Sequence, residues 1–264
     1  MSTPASPEDA RAFARRVLAL VRKLYPDQPA ALGEDGETLR LGSAQFGLSN
    51  LAAKFRQAGG GAATLRRLVK AHFDQLLRDA ATLVGTISWG EAKPILLPQL
   101  MPESFLEQLP LAERPFAPEV RIGLVIDAPS GYRYVRRDEL DGWGLSLDQV
   151  LAVALDNLTT RSAGLQIHAG TGADRILMLA TGDGYDAARI LLPRWRELAG
   201  EHLGLPFRFG IPNRDFLICW SADTTAGTQA AFRTRIAQDY GRQPYPLSPL
   251  TFEMNGEGNV RPLP

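Results

Sequence analysis

The sequence predicts an α+β protein, a largely antiparallel sheet built from strand–strand–helix units and preceded by a helical N-terminal part. Three observations carry this prediction. Short apolar segments come in pairs, at 120–126 with 132–135, at 165–168 with 175–179, and at 207–211 with 216–220. Turn-forming residues separate the members of each pair, as hairpins require. A stripe of apolar residues at helical spacing follows every pair. A doubly wound parallel sheet would instead alternate single strands with helices. The pairs begin near residues 120, 165 and 206. No residue-level identity links them, so the rhythm is architectural and not a sequence repeat.

The elements follow in order. Ser6 is placed to cap a first helix, with Pro7 in its first turn and Glu8 and Asp9 at its positive end. Phe13, Val17, Leu20, Val21 and Leu24 form its apolar stripe, and Pro26 and Pro29 end it. A short strand is expected at 38–41, a helix at 48–57, a break at Gly59-Gly60-Gly61, and a longer amphipathic helix marked by Leu65, Leu68, Val69, His72, Leu76 and Ala80. Residues 94–118 hold six prolines, which no long helix or central strand accommodates. The stretch reads as a connector, with a short helix at 103–109. The expected organisation is therefore a helical part at 1–93, a Pro-rich connector at 94–118 and an α+β domain at 119–264. Within that domain Ser146 and Gln149 form a capping box for a helix striped by Leu147, Leu151, Ala154, Leu155 and Leu158. Gly170-Thr171-Gly172 joins the second strand pair. Ala188, Leu191, Leu192, Trp195, Leu198 and Ala199 stripe a helix that Gly204 ends, another helix runs over 225–240, and a last extended piece covers 250–254.

Composition sets the bounds on function. The 264 residues carry 29 basic and 29 acidic side chains and a single cysteine, Cys219. Neutrality removes the strongest argument for a nucleic-acid partner, and such a role would rest only on Arg66, Arg67, Lys70 and Arg78. One cysteine excludes a disulfide framework and cysteine-clustered metal sites. The first nine residues hold two acids and no base, unlike an export signal, and no apolar run approaches membrane-spanning length. A cytoplasmic location, no membrane contact and no cofactor are the expectation. Motifs exclude more. Gly170-x-Gly172 precedes a strand and not a helix, so it is no dinucleotide fingerprint. The phosphate loop and the Gly-x-Ser-x-Gly elbow are absent. His72, His168 and His202 lack zinc-helix spacing. Cys219 lies within a predicted buried strand, where it acts as a small hydrophobe.

Two constellations remain as candidate ligand-binding residues: Asp183, Asp186 and Arg189 in the first, Arg214 and Asp215 in the second. In Gly182-Asp183-Gly184-Tyr185-Asp186 the carboxylates are placed to accept the first amides of a helix, or to face a cleft. Arg189 lies three residues after Asp186, at ion-pair spacing. Pro212-Asn213-Arg214-Asp215 reads as a tight turn. Arg214 is the residue the turn does not require, free to pin Asp183 or Asp186 or to clamp a carboxylate or phosphate. Asp-x-Tyr-Asp does not match a calcium loop, and no metal is expected.

Several landmarks, taken in order, resemble a known family. They are Trp89 to Pro98, the strand around Ile126-Asp127, Ala152 to Leu158, Asp183 to Leu192, Ile211 to Ile218, and Tyr245-Pro246-Leu247-Ser248-Pro249. Together they are similar to the YtpQ family of bacterial proteins, a domain of unknown function, over about residues 85–255. The resemblance implies a cytoplasmic bacterial protein with no established activity, cofactor or catalytic residue. The sequence thus points first to a non-catalytic protein that binds a protein partner or a small ligand. The second reading is a hydrolase or phosphate-group enzyme whose carboxylates and Arg214 share a cleft.

Overall fold

The computed structural model describes residues 7–33, 36, 38–41, 44–107, 110–170 and 175–263. The chain forms two compact units, Met1–Thr86 with Ala128–Tyr132, and Ile87–Asp127 with Arg133–Pro264. The class is α+β, and every strand pairing with a stated register is antiparallel.

The first unit holds α1 (Pro7–Leu24), β1 (Ala30–Leu32), β2 (Thr38–Leu41), β3 (Ala44–Gly47), α2 (Ser49–Gln57) and α3 (Ala62–Val84). The α1 stripe is buried where the spacing placed it: Val17 and Val21 are fully covered, and Phe13, Leu20 and Leu24 pack at their margin. Val69 and Phe73 of α3 complete that core. Gly59, Gly60 and Gly61 all take positive φ, a conformation that ends α2. The expected cap, Ser6, lies outside the described residues. β1 and β3 give no alternation to read, having three and four residues.

The second unit begins with α4 (Trp89–Ala92) and continues through β4 (Leu96–Pro102), β5 (Glu113–Ala117), β6 (Val120–Ala128), β7 (Gly131–Tyr134), α5 (Arg137–Trp143) and α6 (Leu147–Arg161), except that residues 128–132, where β6 passes into β7, group with the first unit. Then come β8 (His168–Gly170), β9 (Ile176–Leu179), α7 (Pro193–Leu203), β10 (Phe207–Gly210), β11 (Leu217–Ser221), α8 (Ala226–Arg242), β12 (Thr251–Met254) and β13 (Val260–Pro262). The strand–strand–helix rhythm is present, but its hairpins divide between two sheets. One has the order β4-β6-β5, with β7 also on β6, and the other β13-β12-β10-β11-β9-β8.

Three boundaries differ from the sequence reading. Residues 94–118 are not a connector: they carry β4 and β5, and the units divide after residue 86. Proline is barred from central strands, yet β4 and β5 flank β6 as its outer partners, where a missing amide donor is tolerated. Pro115 sits at the irregularity in β5. Residues 87–93 join the second unit, where the Trp143 indole donates to Ile87 O at 2.9 Å. The helix expected over 188–199 is two elements, a 3-10 turn at Ala187–Leu191 and then α7, which Pro193 opens. The strand expected at 165–168 begins only at His168; the Thr171-Gly172 part of its joining turn lies outside the described residues.

The six-stranded sheet buries both faces. Phe207, Phe209, Leu217, Cys219, Leu177, Leu179, Phe252 and Met254 share one face by register and are all buried. Ile218 and Trp220 turn the other way and pack on Ile236 and Phe232 of α8. Gly210 lets that helix approach, because a β-carbon there would lie 2.9 Å from Ile236 Cγ1.

Candidate functional site

The chain leaves β9 through Thr181-Gly182-Asp183-Gly184-Tyr185-Asp186 before the 3-10 turn. Gly182 and Gly184 have φ of +71° and +90°, values that side chains with a β-carbon rarely adopt. The two bends fold the aspartates back on their own segment. Asp186 accepts from Gly182 N at 2.9 Å and from Thr181 Oγ1 at 2.8 Å. Asp183 accepts from Tyr185 N at 3.0 Å. Neither caps an α-helix: a 3-10 turn follows, and the Asp186 side chain makes no cap bond to it.

Both carboxylates converge on Arg189, a guanidinium only 1% exposed. Arg189 Nη1 donates to Asp183 Oδ1 at 2.9 Å and to Asp186 Oδ1 at 3.1 Å, and Nη2 to Asp183 Oδ2 at 2.7 Å. Its Nε donates to Ser162 Oγ at 3.0 Å, so each of the three guanidinium nitrogens has a hydrogen-bond partner. A second arginine closes the cluster toward solvent. Arg161, at the end of α6, donates to Asp183 Oδ2 at 3.2 Å and to Asp127 Oδ2 at 2.8 Å. Its guanidinium lies 4.8 Å from the centre of the buried Tyr185 ring, whose hydroxyl donates to Asp127 Oδ1 at 2.8 Å. From the β4 side, Gln99 Nε2 donates to Gly184 O at 2.8 Å.

These contacts set the protonation. Burial alone would raise the Asp183 carboxyl, but the bonds and charge of Arg189, the Tyr185 amide and Arg161 together hold it well below the usual carboxylate range. Burial raises Asp186 despite its bonds to Gly182 and Thr181. Burial also opposes the charge on Arg161, yet Asp127 and Asp183 lift that guanidinium above its ordinary value.

The second constellation lies beside the first. Ala187 N donates to Arg214 O at 3.0 Å, and a β-carbon on Gly184 would be 3.9 Å from Arg214 Nε. The segments 182–189 and 211–215 are therefore neighbours. Arg214, however, is no exposed hairpin tip. Residues 211–214 are buried, held by bonds from Leu247 N to Pro212 O (3.0 Å) and from Arg214 N to Tyr245 O (3.2 Å). The Arg214 guanidinium lies 3.4 Å from the centre of the Tyr245 ring, and its Nε is 3.5 Å from Asp215 Oδ2. Tyr245 has φ of +57°, a strained value for an aromatic residue. The expected tight turn is present, with Asp215 N donating to Asn213 Oδ1 at 2.9 Å. So the five candidate residues form two adjoining clusters, one built on Arg189 and one on Arg214.

The sequence reading missed Asp127, Arg161, Ser162, Thr181 and Tyr245. Asp127 and Arg161 are 34 residues apart on a strand and a helix, and no local spacing links them. Elsewhere, burial pushes the Cys219 thiol up to about 12 and lowers His72 to about 4, with the Lys54 charge adding to the His72 shift. Among the described residues no three His, Cys, Asp or Glu side chains are grouped to hold a metal ion, and no helix is long and apolar enough to cross a membrane.

No protein-family profile matches the chain, and no solved structure matches it. Its similarity lies with bacterial proteins of uncharacterised function. It is 29% identical over 109 residues to a UPF0354 protein of Listeria innocua serovar 6a, covering 41% of each chain. It is 30% identical over 132 residues to UPF0354 proteins of Bacillus thuringiensis and Bacillus cereus, covering 50% of this chain and 48% of theirs. The chain spans less than half the length of the curated relatives it matches.

Proposed function

We propose that the chain is a non-catalytic binding protein of the bacterial cytoplasm, related to the YtpQ proteins its landmarks resemble. One observation carries the reading. The best-formed polar cluster is saturated from within, because Arg189 takes both Asp183 and Asp186 and leaves neither free to move a proton. Such a cluster fixes the ends of β6, α6 and β9 relative to one another. The thiol of Cys219 is equally withdrawn from chemistry. Affinity capture with the tagged chain, beside a thermal-shift screen of cellular metabolites, tests the reading. A retained partner or a shifted melting temperature is expected; neither appearing would overturn it.

One detail favours the alternative of a hydrolase or phosphate-group enzyme. Asp215 Oδ1 is buried without a hydrogen bond, next to Arg214 and the strained Tyr245. In that reading Asp215 would take a proton from attacking water and Arg214 would stabilise the developing charge. Hydrolysis of p-nitrophenyl phosphate or acetate that Asp215→Asn abolishes would support it, whereas no turnover by the intact chain would dismiss it.

A further inference from the structure

The outer face of α7 forms the wall of a groove that the reading above does not use. Pro193, Arg196, Glu197, Gly200 and Glu201 line one side at i, i+3, i+4, i+7 and i+8, opposite the buried stripe of Trp195, Ala199 and Leu203. The turn Asn255-Gly256-Glu257 lines the other side, and the space between is about 480 Å3. That volume falls within the roughly 300–1,000 Å3 of ligand-binding clefts. The turn is set by Asn255 Oδ1, which accepts from Glu257 N at 3.1 Å and Asn259 N at 2.9 Å. Arg196 lies over Gly258, where a β-carbon would be 3.2 Å from its Cζ.

Leu205 belongs to this groove. β-Carbons added at Gly200 and Gly256 would meet it at 3.3 Å and 3.4 Å, so it lies in the slot that two glycines leave open. It is nevertheless 56% exposed, the most exposed large apolar side chain among the described residues. Glycine is a poor helix former, and at Gly200 its smallness makes room for Leu205. Around this apolar floor stand three exposed carboxylates, Glu197, Glu201 and Glu257, against one guanidinium, Arg196. Glu257 also accepts from Asn259 Nδ2 at 3.0 Å, which holds it on the rim.

We infer that this groove docks an extended peptide segment of a protein partner, an apolar side chain seating on Leu205 and flanking lysine or arginine meeting the glutamate rim. Apolar burial supplies the contact, and the net negative rim selects basic over acidic segments. The inference rests on the binding reading above and names the partner's chemistry.

The test uses the full chain and a fluorescein-labelled seven-residue peptide of alternating lysine and leucine, with its glutamate–leucine counterpart as control. Anisotropy should show the lysine peptide binding at least tenfold tighter, with affinity falling as salt rises from 0.05 to 0.5 M. Carbodiimide coupling should join peptide lysines to Glu197, Glu201 or Glu257. Reversing all three glutamates to lysine should weaken binding at least tenfold, and Leu205→Ala should weaken it without changing the salt slope. Glu119→Lys, on an exposed corner elsewhere, should leave it unchanged. Equal binding by the triple variant, coupling at other carboxylates, or no peptide binding would overturn the inference. A dimer dissolved by the triple reversal would assign the groove to a second copy and overturn it as well. A partner captured equally well by the triple variant would sink the groove alone and leave the binding reading standing.

Discussion

Replacing Arg189 by methionine removes one cation from a place only 1% exposed to solvent. Methionine fills the volume of the aliphatic stem, so the change is chiefly electrostatic. Three bonds to Asp183 and Asp186 disappear, together with the bond to Ser162 Oγ. The two acids then diverge. Asp183 keeps Arg161 and has a partly exposed carboxylate. Asp186 is 0% exposed and retains only the Thr181 hydroxyl and the Gly182 amide. Breaking a buried pair from one side costs about 3–5 kcal/mol. With an m value near 3 kcal/mol/M, the urea midpoint should fall by about 1–2 M at pH 7. All four tryptophans, at 89, 143, 195 and 220, lie in the second unit, so their fluorescence follows the part of the chain that holds the cluster. The pH dependence has a definite sign. An acid raised in the folded state opposes folding at neutral pH, and that penalty fades as pH falls through its folded value. Loss of Arg189 raises Asp186 further, so the gap between variant and parent should narrow toward pH 4.5. Below about pH 4 the parent also loses the stability contributed by the depressed Asp183. Adding Asp183→Asn and Asp186→Asn should restore most of the loss. A midpoint shift under about 0.3 M for the single variant, or no recovery in the triple one, would refute the structural role.

Three further outcomes are expected. Gly210→Ala pushes a methyl group into Ile236 and should cost about 1–3 kcal/mol, read as a lower urea midpoint by tryptophan emission. The native Cys219 thiol should resist dithionitrobenzoate at pH 8 and react at once in 6 M urea, since it is fully buried and pushed up to about 12. His72 falls from its ordinary 6.5 to about 4, and its Nε2 makes no hydrogen bond. The unfolded chain therefore binds the extra proton first, and the first unit should lose about 1–3 kcal/mol as pH drops from 6.5 to 4. Hydrogen exchange in α3 checks this, and His72→Leu should flatten the dependence.

Periodicity reports burial within one element, and that is where the sequence was legible. The α1 stripe, the strand at 38–41 and the capping box at Ser146 and Gln149 appear as their spacing required. Proline misled at 94–118, because the rule against it applies to central strands and β6 alone is central there. Within the candidate site, the Asp186–Arg189 pair is local and was readable at three-residue spacing. Asp127 and Arg161 were not readable, since their meeting depends on how β6 and α6 are laid together. Arg214 stood out in the sequence because the turn does not require it, but its neighbours there, Asp215 in the next position and the Tyr245 ring 31 positions later, could not be told from spacing.

The larger sheet ends in β13 on one side and β8 on the other, each three residues long, with a proline closing β13. An open row of backbone donors and acceptors invites another chain to extend the sheet, and the hazard grows with the length of that row. Three residues offer an incoming strand too few bonds to hold it against thermal motion. The hydrophobic strands between them are thus guarded from edge-to-edge growth while this sheet is folded.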